Sequence, residues 1–187
     1  VLLALLGTLG ALAVMVIPWL TTTVPTDRGS HPVPGLALRK QQLLAAGGNS
    51  LDMAVAMLET DTMTAQYPYG DGKRDDAANF GIFKQNWYMI RRSDPAFRGA
   101  TSGDYALGAA LNHDLARDVA VLHEAQRRWP LEIWFAGHRN GHTGLQQPDT
   151  PDVIRYRDAV YWIRSQLDAD PAHLTDDIRF WVDVPAI

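Results

Sequence analysis

The sequence predicts an α+β domain, mainly α, with one small β region. Apolar residues recur at helical spacing through much of the chain, most clearly in "TPDVIRYRDAVYWIRSQL", where Val153, Tyr156, Val160, Ile163 and Leu167 fall on one face. Strand-like sequence is confined to the stretch between Tyr67 and Gln85 and to "RFWVDV" near the end. The 187 residues suit one domain, and a composition of 47% hydrophobic and 20% charged residues supplies an ordinary core.

The elements follow in order. "VLLALLGTLGALAVMVI" carries no charge, and the uncharged stretch runs on to Thr26. It is longer than the roughly 7–15 residues of a secretory apolar core and nearly supplies the roughly 20 needed to anchor in a membrane. Residues 1–20 are therefore expected to be a signal peptide or membrane anchor, with a buried core helix as the alternative. Residues 21–33, "TTTVPTDRGSHPV", read as a linker, because Thr, Pro, Gly and Ser offer little to bury. The catalytic-size domain is then 34–187. "LALRKQQLLAAGG" is a short helix stopped by Gly47 and Gly48. Asn49 or Ser50 can cap the next, "LDMAVAMLET". The stretch from Ser102 to Trp129 is long and helical, with a break near Asn112 and a stop at Pro130. "EIWFAG" adds a turn or two. The last helix has Thr150 at its N-cap, Pro151 in its first position and Asp152 in its first turn.

Several functions are disfavoured. A net charge of −4 argues against nucleic acid as a partner, since phosphate binding wants a basic surface. The chain has no cysteine, which removes disulfides, thiolate metal sites and a cysteine nucleophile. His138 and His142 have a spacing that could hold zinc on a helix, but Gly141 between them argues against a helix and no third ligand is evident. "DGKRDD" lacks the order of a calcium loop. With no phosphate loop and no G-x-S-x-G elbow, no metal and no cofactor are expected.

The informative stretch is "MLETDTMTAQYPYGDGKRDDAANFGIFKQNW", Met57 to Trp87. An apolar run delivers one carboxylate, Glu59, with Val55, Ala56, Met57 and Leu58 close by. A carboxyl held against apolar neighbours is harder to ionise, which suits a general acid. Asp71 sits in a turn forced by Pro68, Gly70 and Gly72, beside Lys73 and Arg74. A solvated carboxylate near cations suits a base. Two carboxyls in opposed environments are the pattern that glycoside hydrolysis uses. The residues alone leave the second member open: Asp75 and Asp76 compete with Asp71, and Asp61 lies close to Glu59. A helix-end salt bridge and a simple turn former are the structural alternatives for Glu59 and Asp71.

"FGIFKQN" is similar to the glycine, apolar, apolar, glutamine strand of the lysozyme superfamily. The longer segment resembles the β-1,4-mannanases of glycoside hydrolase family 134, and the resemblance continues through "FAGHRNG" and "RFWVDVPAI". It covers about Pro34 to Ile187. It implies a lysozyme-like fold with its small β region beside the catalytic cleft. It also implies endo-acting hydrolysis of β-1,4-mannosidic linkages with inversion, with Glu59 as general acid and Asp71 as general base. The expected partner is a β-mannan polysaccharide or manno-oligosaccharide, met by an exported monomer that is either released or tethered to a membrane through residues 1–20.

A sugar chain presents hydroxyls and flat C–H faces, which amides and aromatics answer. Lys73, Asn79, Gln85, Asn86 and Trp87 cluster around the base and the strand, and His138 and Asn140 fall in the Gly-punctuated "GHRNGHTG", read as a loop. Each is a candidate for sugar contact, against a structural role in a turn or core. Trp129, Trp134, Trp162 and Trp181 fit the core better. Two other functions remain open on sequence: a muramidase- or chitinase-like hydrolase of the same fold, and a non-catalytic glycan-binding module. Both carboxylates are present, which counts against the module.

Overall fold

The computed structural model describes residues 27–185. Residues 1–20, expected to be a signal peptide or anchor, lie outside them. No helix among the described residues is long and apolar enough to cross a membrane.

The fold is α+β, mainly α, and lysozyme-like. Strand β1 (Arg28–Pro32) leads into α1 (Leu36–Ala45) and α2 (Ser50–Glu59). After two short 3₁₀ turns (Tyr69–Gly72 and Asp75–Ala77), a hairpin of β2 (Asn79–Phe80) and β3 (Gln85–Asn86) runs straight into α3 (Trp87–Ser93). A kinked 3₁₀ segment, Ser102–Asn112, precedes α4 (Leu115–Arg128), and the chain breaks between them where the sequence suggests. Helices α5 (Leu131–Gln146) and α6 (Pro151–Ala169) and strand β4 (Ile178–Val182) complete the domain.

The centre is α2, whose residues Leu51 to Met57 are all buried. Asn49 is its N-cap, in a capping box: its side-chain oxygen accepts from the Leu51 and Asp52 amides, and Asp52 accepts from the Asn49 amide at 2.9 Å. The other Asp52 partner is His123 on α4, at 2.8 Å, so the cap also ties α2 to a neighbour. Helix α6 packs along α2 with Val153, Tyr156, Val160, Ile163 and Leu167 buried, the face its periodicity predicts. At the far end of α2, the Arg179 guanidinium donates to the Met57 carbonyl at 2.9 Å, satisfying one of the acceptors a helix end leaves open. Thr60 is already extended, so the helix stops at Glu59.

The linker expectation is corrected at residues 28–32. They pair antiparallel with β4, from Arg28 opposite Val182 to Pro32 opposite Ile178. No apolar alternation marks this strand. Its backbone hydrogen bonds and the Trp181 ring lying against Gly29, where a Cβ would meet it at 3.2 Å, hold it in place. The start and end of the domain are also joined through Lys40, fully buried, whose three ammonium protons go to the His173 and Ile178 carbonyls and to Asp176.

Two of the expectations about loops and cores change. "EIWFAG" lies in a helical segment, Leu131–Gln146, that runs without a break to Gly141 and so is longer than one or two turns. The "GHRNGHTG" segment is not a loop, since His138 and Asn140 sit on α5. Gly137 and Gly144 serve close packing: a Cβ on Gly137 would lie 2.7 Å from Met89 and Leu145, and one on Gly144 would lie 1.9 Å from the Ala136 carbonyl oxygen. Only Gly141, at φ 57° and ψ −137°, breaks the helix, between the two histidines. Of the tryptophans placed in the core, Trp134 is fully buried, Trp129 and Trp162 pack at the core edge, and Trp181 covers Gly29.

Candidate active site

A cleft of about 610 Å³ opens between the end of α2, the 3₁₀ turns, the hairpin and α5. Glu59 and Asp71 both line it, with Lys73, Asn79, Asn86, His138 and Asn140. Seven of the sequence candidates thus meet in one groove.

Glu59 sits in the last turn of α2 with its side chain 18% exposed. Its Oε1 accepts a 2.7 Å hydrogen bond from the Tyr156 hydroxyl. Burial, then the Glu59 charge, push the Tyr156 phenol well above its ordinary range, so it remains a neutral donor. His138 Nε2 stands 3.4 Å from the same Oε1. That nitrogen is buried and has no hydrogen-bond partner among the described residues. The imidazole is stacked on Trp134 at 5.0 Å, which fixes its plane.

Asp71 is held differently. It lies at φ 59° and ψ 34°, between Gly70 at φ 61° and Gly72 at φ 72°. A left-handed aspartate is tolerated because its short side chain can bond locally, but it is strained relative to glycine. Lys84 donates to Oδ1 at 3.0 Å and Asn79 to Oδ2 at 3.2 Å. The cation paired with Asp71 is therefore Lys84, from the hairpin turn, rather than its sequence neighbours Lys73 and Arg74. No hydrogen bond joins Glu59 to Asp71 among the described residues.

The rival carboxylates separate on geometry. Asp76 reaches the cleft, but both its oxygens accept from Arg91 at 2.7 Å. The Arg91 hydrogen bonds hold the Asp76 carboxyl below the usual carboxylate range, although partial burial opposes them. Asp75 and Asp61 are exposed and do not line the cleft.

Two candidates for sugar contact fall elsewhere. Trp87 is fully buried in a second core cluster with Phe80, Ile90 and Leu111, and its indole N–H donates to the Thr101 carbonyl. Gln85 is 1% exposed, and its amide donates to the backbone and side chain of Asp118 on α4. Asn86 lines the cleft, but its amide is spent on the Gly137 and His138 carbonyls and its oxygen accepts from Met89. It binds α5 to the start of α3. Asn140 donates to Asp152 at 2.8 Å.

Lys84, Tyr88 and Tyr156, none of them a candidate for the site on sequence, also line the cleft, as does His142, weighed there only as a metal ligand. Lys84 stands inside the quoted "FGIFKQN". Tyr156 reads as a core position, and the signal available was its hydroxyl, which a buried tyrosine must partner.

An acid on a helix end and a second acid on a turn, unlinked to each other and facing one groove, are the equipment of a glycoside hydrolase. The family comparison agrees. The chain belongs to glycosyl hydrolase family 134, whose family model matches residues 37–184. No curated protein shows a significant match to it.

Proposed function

We propose that the protein is an exported endo-β-1,4-mannanase that inverts the anomeric centre. One observation carries the reading: Glu59 and Asp71 line the same cleft with opposed partners, a neutral phenol on one and an ammonium on the other. In the proposed step, Glu59 gives its proton to the glycosidic oxygen as the bond from that oxygen to the anomeric carbon breaks. A water attacks that carbon from the opposite face, and Asp71 takes the proton the water loses. The products are two shorter chains, and solvent restores the two carboxyls. Tyr156 engages Oε1 of Glu59, which leaves Oε2 to present the proton. Lys73, Asn79, His138 and Asn140 are the side chains proposed to meet sugar hydroxyls.

Mannan is the proposed substrate because the motif around both carboxylates resembles the mannanases of this family. Incubating the purified protein with β-mannan, glucomannan, chitin and peptidoglycan and measuring new reducing ends tests this. Release from the two mannans alone supports the reading. Release from chitin or peptidoglycan alone replaces it with the lysozyme-like alternative. Export rests on the uncharged residues 1–20, and finding the protein inside intact cells only would count against it.

A further inference from the structure

We infer that Lys84 is a positioning residue for the base: it holds the Asp71 carboxylate in one orientation in the cleft. The inference rests on the proposed role of Asp71 and goes beyond it to a residue with no assigned part in the reaction.

Asp71 occupies the left-handed region between two glycines that do the same, and Lys84 is itself left-handed, at φ 48°. Such conformations are strained and persist only where surroundings over-determine them. Two strained residues, 13 apart in sequence, meet in one 3.0 Å ion pair. The turn that carries Lys84 is fastened on every side. The Gly81 amide donates to Asn112, the Ile82 amide to Asp118, and the Tyr67 hydroxyl to the Gly81 carbonyl at 2.7 Å. Burial drives the Tyr67 phenol far above its ordinary range, so it stays a neutral donor. Its ring also lies beneath the ammonium, with Lys84 Nζ 5.0 Å from the centroid. The ammonium is thus held from below by an aromatic face and directed at Oδ1, while Asn79 holds Oδ2.

The pair is largely shielded from water, with the Asp71 side chain 23% exposed, so the ammonium fixes the direction of Oδ1. The other cations nearby cannot substitute: Lys73 lines the cleft without bonding Asp71, and Arg91 is engaged by Asp76. Orientation is what the pair supplies: a general base must present a lone pair to one water, and misplacement by about 1 Å can cost on the order of 100-fold.

The test compares Asp71→Asn, Lys84→Met, Lys84→Gln and Lys84→Arg, with rate normalised to folded protein by thermal melting. Asp71→Asn should lose on the order of 10²–10⁴-fold in kcat. Lys84→Met should lose about 10- to 100-fold in kcat with KM little changed. Lys84→Gln keeps a donor without the charge and should lose less. Lys84→Arg keeps both and should recover most of the rate. A crippled Asp71→Asn beside Lys84→Met and Lys84→Gln that keep the wild-type kcat, with or without a raised KM, would overturn the inference and leave Asp71 as the base. Near-normal turnover in Asp71→Asn would overturn the reading on which it rests.

Discussion

The Tyr156 hydroxyl donates a 2.7 Å hydrogen bond to Oε1 of Glu59, joining residues 97 apart in sequence. It places the helix most completely packed along α2 in charge of the acid at the end of α2. Tyr156 is almost fully buried, so it cannot swing away. One carboxyl oxygen is thereby engaged, and the group is held in one rotamer facing the cleft.

Replacing Tyr156 by Phe should leave the fold intact and lower kcat about tenfold, since an unpinned Glu59 samples unproductive rotamers. The hydroxyl donates to Glu59 and is not free for sugar, so KM should change little. Steady-state kinetics on a soluble manno-oligosaccharide separate the two parameters. A raised KM with unchanged kcat would mean that the hydroxyl touches sugar instead.

Glu59→Gln and Asp71→Asn should each cost on the order of 10²–10⁴-fold in kcat while melting near the wild-type temperature. Asp75→Asn, on an exposed side chain outside the cleft, should be close to neutral. Near-normal turnover in Asp71→Asn, with loss in Asp75→Asn or Asp76→Asn, would reassign the base.

The Asp76–Arg91 pair gives a pH dependence of stability with a definite sign. Hydrogen bonding from Arg91 holds the Asp76 carboxyl below its unfolded value of about 3.9. Its contribution is therefore present above that value and is lost as pH falls through the lower, folded value. Thermal melts from pH 6 down to pH 2 should show the wild type losing its advantage over Asp76→Asn at the acid end. A constant gap between the two curves would remove the ion pair as the cause.

Gly81→Ala should destabilise the domain by about 3 kcal/mol or more. Gly81 lies at φ 75°, and a Cβ there would fall 2.0 Å from Oδ1 of Asp118. That carboxyl, pushed up to about 8 by complete burial against the opposing bonds from Gln85 and Ile82, anchors the hairpin turn. Urea denaturation measures the loss, and a change under 1 kcal/mol would show that the turn can shift without cost.

What the sequence made legible was local. Glu59 and Asp71 lie in one continuous motif: an apolar helix end marks the first, while the wet turn alone leaves Asp71 level with Asp75 and Asp76, and the family resemblance chooses among them. The capping residue Asn49 and the buried face of α6 follow from short-range patterns in the same way. What stayed hidden depends on pairing across the chain. Strand β1 has no alternating pattern and exists because β4 returns beside it. Trp87 and Gln85 look like sugar ligands beside the motif, but the hairpin turns both inward, one to a core cluster and the other to Asp118. The glycines of "GHRNGHTG" suggest a loop, whereas two of the three at 137, 141 and 144 are there for close packing. Lys84 was visible as a residue, but its partner is fixed only once the hairpin folds back on the Asp71 turn.

Proton NMR of the anomeric signals during the first minutes of manno-oligosaccharide hydrolysis tests the central claim, that Glu59 and Asp71 act as acid and base on a single displacement. An inverting pair keeps its carboxyls roughly 6.5–9.5 Å apart with water between them, and it forms no covalent sugar–enzyme intermediate. The account predicts that the α anomer of the new reducing end appears first and the β anomer grows in only by mutarotation. Early β anomer, or efficient transfer to an added alcohol, would contradict it and make a carboxylate of this cleft a nucleophile.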